Sequence, residues 1–153
     1  MAKTRWLDDR RQHAWRSYIH MNHELYALLG ALLSESGISA TDYSVLVVLS
    51  EDLDGLVRAR DLGNELGWDR SRLSRHLARM EQRGMVVREE CEEDARGLMV
   101  RITAEGRRAI EAAAPAHVEA VQRHFFDLLS NKEVDTLTAV FDRVRAKLPS
   151  ETD

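Results

Sequence analysis

Trp68-Asp-Arg-Ser-Arg-Leu-Ser-Arg-His-Leu-Ala-Arg-Met-Glu-Gln-Arg83, followed by Gly84, is the stretch that decides the fold. Leu73, Leu77 and Met80 recur at i, i+4 and i+7, the apolar stripe of a helix packed on a core. At about 100° per residue, Arg72, Arg75 and Arg79 fall on the opposite face, with Arg83 and His76 beside them. A cationic stripe turned to solvent is the electrostatic footprint of a nucleic-acid reader. The plainer alternative is a solvated face whose arginines pair with Glu81 or other nearby carboxylates. The contrast with the rest of the chain gives the stripe weight: 22 Lys and Arg stand against 26 Asp and Glu, a net charge of -4.

The flanks supply the context. Arg58 to Leu66 reads as a short helix with Leu62 and Leu66 facing in, and Gly67 permits a tight turn. Asp69 is placed to cap the arginine-rich helix by accepting from an orphan backbone N–H. Gly84 ends that helix. Met85 to Glu89 and Leu98 to Thr103 are strand-like, and Asp94-Ala-Arg-Gly97 has the composition of a hairpin tip. Helix, turn, helix and then a hairpin make a winged helix.

Further out, both ends are helical. Trp15, Tyr18, Met21, Leu25, Leu28, Leu29 and Leu32 keep a spacing of three or four between about Asp8 and Glu35. Ser39 or Thr41 can cap a second helix that buries Tyr43, Leu46, Val47 and Leu49. Thr103 caps a helix expected to run to about Leu129, with a kink at Ala112 to Pro115 because proline deletes a backbone bond. Val134, Leu137, Phe141, Val144 and Leu148 then repeat at +3 and +4, a heptad-like seam in a final helix. The expected class is mainly α with a small β-hairpin wing (α+β). Residues 1–153 form one domain, with a winged-helix lobe at about 40–104 and a helical dimerisation lobe at about 8–36 and 104–148. The terminal stripes exceed what the winged lobe can cover, and a two-fold dimer would bury them.

The bulk composition narrows the function classes. Hydrophobic residues make up 44% and charged residues 31% of 153, as in a globular protein with a real core. No apolar run reaches the roughly 18 residues of a membrane span, so no membrane partner is expected. Met1 to Asp9 has no apolar signal core. The single cysteine, Cys91, excludes an intramolecular disulfide, and a cytoplasmic location is expected. No nucleophile–base pair, Gly-rich phosphate loop or zinc-type cluster is present, so neither enzyme activity nor a cofactor is expected. His20 and His23 have the i, i+3 spacing of a metal pair, a minor alternative to an ordinary polar face. Glu90 and Glu92 would raise the Cys91 thiol pKa, which disfavours redox sensing.

The order of elements and three local motifs resemble the MarR (multiple antibiotic resistance regulator) family of dimeric winged-helix transcription factors. Leu62 to Val86 is similar to the family's recognition-helix region. Asp94-Ala-Arg96-Gly97 is similar to its wing-tip pattern DxRxxR, and Ile102-Thr-Ala-Glu-Gly106 to its LTxxG helix start. The chain departs from that pattern after Gly97, where Leu98, Met99 and Val100 replace further basic residues and leave Arg96 as the obvious cation at the tip. The resemblance implies a ligand-responsive repressor, acting as a homodimer on a pseudo-palindromic double-stranded DNA operator. A winged-helix protein-interaction module or a redox- or metal-responsive regulator is the alternative.

Chemistry assigns the roles. Arginine bonds guanine through two parallel donors in the major groove, and serine bonds a base or a phosphate. The pool of DNA contacts is Arg70, Ser71, Arg72, Ser74, Arg75, His76 and Arg79, the first turns being suited to bases and Arg79 and Arg83 to phosphates. Arg96 is suited to the adjacent minor groove. The resemblance gives Asp94 the role of holding the wing loop. The acidic run Glu89, Glu90, Glu92, Glu93 and Asp94 reads as a solvated face, the alternative being that it repels phosphate and keeps non-specific affinity low. The family often holds a small aromatic or anionic effector between its dimerisation helices and its winged domain. Trp15, Tyr18, Tyr43 and His117 are candidates to line such a pocket, although core packing accounts for each equally well. Val134, Leu137, Phe141 and Val144 are the candidate dimer interface.

Overall fold

The computed structural model describes residues 4–91 and 94–149, with residues 91 and 94–96 described in backbone only. Helix α1 spans Asp9–Glu35, and α2 spans Ala40–Glu51. A short strand β1, Leu56–Arg58, precedes α3 (Ala59–Leu66) and α4 (Arg70–Gln82). Strands β2 (Val86–Cys91) and β3 (Asp94–Ile102) follow, then α5 (Ala104–His124) and α6 (Asn131–Arg145). The architecture is the mainly helical winged helix expected, with a three-stranded antiparallel sheet in the order β1-β3-β2.

Side-chain caps start most of these helices. Asp8 caps α1 by accepting from Arg11 N. Ser39, not Thr41, caps α2 in a reciprocal capping box: Asp42 N donates to Ser39 Oγ at 3.0 Å and Ser39 N donates to Asp42 Oδ2 at 2.9 Å. Thr103 caps α5 through Gly106 N, and its hydroxyl donates to Gly84 O at 2.6 Å, tying the exit of α4 to the start of α5. Gly106 is required there by space. A Cβ at this position would lie 2.2 Å from Met85 O and 2.9 Å from Ile102 Cγ1.

The core gathers where α2, α3, α4 and the sheet meet. Val45, Leu46, Leu49, Leu62, Leu77, Met80, Val86 and Val100 are fully buried. It extends to Leu33 at the end of α1 and to Ile110 and Ala113 on α5. The outer lengths of the terminal helices lie beyond it. Trp15, Tyr18 and Tyr26 of α1 are exposed, and α6 buries no residue in the single chain.

Four details differ from the sequence reading. Strand β1 was not foreseen: Leu56, Val57 and Arg58 pair with Arg101, Val100 and Met99, and three residues are too few to show an alternation. The hairpin tip is not Asp94 to Gly97. Asp94 already pairs with Cys91 within the strands, and the register shifts between Glu90 and Cys91; positions 92 and 93 lie outside the described residues. Helix α5 runs unbroken through Pro115 but stops at His124, and a 3-10 turn at Phe126–Leu128 replaces the expected last helical turn. Leu148, counted in the heptad-like seam, lies past the end of α6.

Candidate nucleic-acid interface

The turn into α4 sets the geometry of the site. Gly67 takes the left-handed conformation, φ +63, which a side chain would strain, and Trp68 N closes on Gly63 O at 2.9 Å. Asp69 then accepts from Arg72 N at 2.8 Å. That bond, with the positive charge of Arg72 and Arg75 nearby, holds the Asp69 carboxyl below its usual pKa. Beyond the cap, Arg70, Ser71, Ser74 and Arg75 line a surface hollow of about 400 Å³.

Arg70, Ser71, Arg72, Ser74, Arg75 and Arg79 are all exposed on one side of α4. Leu73, Leu77 and Met80 are buried on the other. Among the described residues, the side chains of Arg70 and Arg75 make no hydrogen bond or ion pair. Other arginines nearby are neutralised. Arg88 binds Glu81 through its backbone N–H and two guanidinium nitrogens, the last at 2.6 Å. Arg101 grips Glu89 at 2.7 and 3.1 Å across the β2–β3 pair. Both carboxyls are held below their usual pKa, chiefly by these arginine bonds. Glu89, a member of the acidic run, is therefore already balanced.

Two assignments on α4 need correction. His76 does not face the DNA side: it is 6% exposed and sits against Asp42, with Nε2 3.1 Å from Oδ1. Its polar character suggested the surface, but a buried carboxylate on α2 gives it a partner inside. Arg83 is not a free phosphate clamp, because its Nη1 donates to Asp42 Oδ2 at 2.8 Å and its Nη2 to Gly37 O at 3.4 Å. Asp42 itself is 1% exposed. Burial alone would raise its pKa, but the donors from Ser39 and Arg83 outweigh burial and hold it low. Sequence reasoning missed Asp42. The Ser39-x-x-Asp42 spacing signals a capping box, but nothing local shows that the same carboxylate reaches α4.

Arg72 and Arg79 are also held, by weaker means. The Arg72 guanidinium carbon lies 4.4 Å from the Trp68 ring centroid. Arg79 Nη2 donates to His76 Nδ1 at 3.0 Å. The side chains of Arg96, Asp94 and Cys91 lie outside the described residues, as do Glu92 and Glu93. His20 and His23 are exposed on α1, and among the described residues no three His, Cys, Asp or Glu converge in a metal-binding group.

The four candidate effector residues fall into two contacting pairs, and of the four only Tyr43 lines a cavity. Tyr43 and His117 stack with centroids 4.4 Å apart beside a cavity of about 360 Å³ between α2 and α5. Tyr43, Val47, Glu51, Arg107, Ile110 and Glu111 are among its lining residues. Burial, and secondarily Glu51, raises the Tyr43 pKa, and burial lowers that of His117. Trp15 and Tyr18 contact each other at 5.7 Å and do not line this cavity, because their stretch of α1 stands beyond the core. On α6, Val134 and Leu137 are half-buried, whereas Phe141 and Val144 are 45% and 52% exposed.

Comparison with known proteins gives these features a family context. A MarR family profile matches residues 36–97, which run from the end of α1 into β3. The chain is similar to the solved structure of Sco3205, a MarR family transcriptional regulator from Streptomyces coelicolor in complex with DNA. Identity is 35%, the TM-score is 0.92, and the match covers 100% of this chain and 97% of that one. It is similar to AbsC, a MarR family transcriptional regulator from the same organism, at 37% identity and TM-score 0.86 over 94% of this chain and 100% of that one. The transcriptional repressor MprA of Escherichia coli is 24% identical over 133 residues, which is 87% of this chain and 75% of that protein.

Proposed function

The chain belongs to the MarR family of DNA-binding transcriptional regulators, and from that premise we propose that it is a homodimeric repressor of a pseudo-palindromic operator, released by a small effector. One observation carries the reading: the exposed face of α4 gathers Arg70, Arg72, Arg75 and Arg79, with Ser71 and Ser74, on an acidic protein whose nearby Arg88 and Arg101 are neutralised. The similar Sco3205 was solved in complex with DNA, which supports DNA as the partner. Arg70, Ser71, Ser74 and Arg75, in the first turns, read base edges; Arg72 and Arg79 add charge at the phosphates; Arg96 serves the minor groove. Its role is binding rather than catalysis, and it works on DNA in the cytoplasm.

Dimerisation follows from the terminal helices, whose exposed Trp15, Tyr18, Phe141 and Val144 find no cover in one chain. Two copies of α4 held at a fixed spacing match two half-sites of a palindrome. The cavity between α2 and α5 suits an effector with an aromatic group. Arg107 supplies one cation and Glu51 and Glu111 two carboxylates, so a ring bearing a donor fits better than a simple anion. Binding there acts by favouring a dimer geometry whose recognition helices no longer match the half-sites.

Selection of duplexes from a randomised pool, followed by affinity measurement against salt, tests this reading. A two-fold consensus is expected, with log affinity falling linearly with log salt. Arg79→Ala should reduce the slope by about one phosphate's worth, roughly 0.9. A pool that yields no consensus, or an affinity insensitive to salt, would overturn it.

A further inference from the structure

We propose that His76 is a positioning residue for DNA recognition: seated on Asp42, its neutral imidazole offers Nδ1 to Arg79 and backs Trp68 beneath Arg72, so that two exposed arginines are set in place before DNA arrives. The inference rests on α4 being the helix that meets DNA.

Three contacts converge on this one ring. Arg79 Nη2 lies 3.0 Å from Nδ1. Guanidinium nitrogens only donate, so Nδ1 accepts and the single ring proton belongs on Nε2. Nε2 faces Asp42 Oδ1 at 3.1 Å. That pair lies off the line of a good hydrogen bond, and among the described residues neither atom has another partner. The third contact is the Trp68 ring, edge-on at 5.4 Å and 85°. The face of Trp68 carries Arg72 at 4.4 Å. From the ring outward, one branch runs to Arg79 and the other through Trp68 to Arg72. Long flexible arginines lose considerable rotamer freedom on binding, and a pre-set guanidinium has less to lose when it meets DNA.

A second proton on the ring would undo the first branch. It would sit on Nδ1 and turn an acceptor into a donor opposite a donor, forcing Arg79 away. The charged groups facing the ring are Asp42 from α2 and Arg79 and Arg83 from α4 itself. Burial, helped by the two arginines, disfavours the cation, and Asp42 favours it; the balance leaves the His76 pKa below its usual value. The neutral, Arg79-holding form therefore prevails at neutral pH, and its loss falls on the acid side of the ordinary histidine range.

The test uses the whole protein, a duplex from the selection described above, and a scrambled duplex of equal length. Other histidines also charge on acidification and attract any DNA, so the readout is the ratio of the two affinities; a pre-set Arg79 enters this ratio because its phosphate contact fixes the register of the helix on the selected duplex, whereas a scrambled duplex holds no single register. Losing one charge-assisted bond should lower the wild-type ratio roughly tenfold as the pH falls from about 8 through the lowered His76 pKa, on the acid side of the ordinary histidine range. His76→Asn keeps an acceptor where Nδ1 lies but cannot titrate, and its ratio should not vary with pH. His76→Gln reaches Asp42 and offers Arg79 nothing, so its ratio should be low throughout. Arg79→Ala should remove the pH dependence. A flat wild-type ratio, equal behaviour of the Asn and Gln variants, or a pH dependence that survives Arg79→Ala would overturn the proposal. Nitrogen chemical shifts of the wild-type imidazole test it without any substitution: a proton on Nε2 is expected, and one on Nδ1 would overturn it. Failure of the underlying reading would show differently, as a ratio near one for the wild type at every pH.

Discussion

Helices α4 and α6 are of similar length, 13 and 15 residues, both are amphipathic, and each begins at a side-chain cap. They are finished in opposite ways. The apolar stripe of α4 is covered by its own chain, with Leu77 and Met80 fully buried, while its cationic face stands open. The polar face of α6 is ordinary, and its apolar seam is uncovered at Phe141 and Val144. An open cationic face on a fixed helix awaits a polyanion. An open apolar seam awaits another apolar surface, and a second copy of the same chain supplies one. One helix is complete as structure and incomplete as a ligand site; the other is incomplete as structure.

Placing charge in the α6 seam strikes at this contrast hardest. Phe141→Asp combined with Val144→Asp should give monomers by light scattering. With only one half-site engaged at a time, operator affinity should fall about 10²- to 10⁴-fold. A stable dimer that still binds tightly would mean that α6 is not the interface. Leu77→Ala removes cover from beneath α4. Chemical denaturation should show a loss of about 2–5 kcal/mol, since the site is fully enclosed and cannot collapse easily. A cost well below this would mean that the helix is less firmly seated than its burial indicates. The smallest effect is expected at Ser130, whose hydroxyl and Glu133 form the capping box of α6. With little tertiary packing to compensate, Ser130→Ala should cost about 1 kcal/mol per chain and so about 2 kcal/mol per dimer, read as a roughly 30-fold weaker dimer on dilution. An unchanged dimer would show that α6 is held by contacts other than its cap.

The same contrast explains what was legible in the sequence. Helix α4 could be read almost residue by residue, because a cap, a 3.6-residue period and a terminal glycine all lie within one short stretch. Thr103 and Gly106 were equally readable as the start of α5. Strand β1 was not, since three residues carry no period and its partner β3 comes only after two more helices. Composition misleads at the wing: Asp94-Ala-Arg-Gly97 has turn residues, but the stretch belongs to β3, where Asp94 already pairs with Cys91. At the site, the exposed arginines followed from helical projection. His76 did not, because projection leaves it at the border of two faces, and only the distant Asp42 decides which side it joins. The grouping of the effector candidates was not legible either. Aromatic type alone placed Trp15 and Tyr18 with Tyr43 and His117, and only tertiary packing separates them.

Asp42 closes the capping box that starts α2 and also receives Arg83 and faces His76 from α4. A local folding signal therefore doubles as the socket in which α4 is keyed. This bears on attempts to reprogram the regulator for new operators. Arg70, Ser71, Ser74 and Arg75 form an interchangeable bit, exposed and without partners in α2, whereas Trp68, His76 and Arg83 belong to the chuck that grips it. A library that randomises only the four exposed positions should keep the helix in register. Grafting the whole of α4 into another scaffold would carry the key without its lock unless the recipient supplies a carboxylate at the first turn of its own second helix.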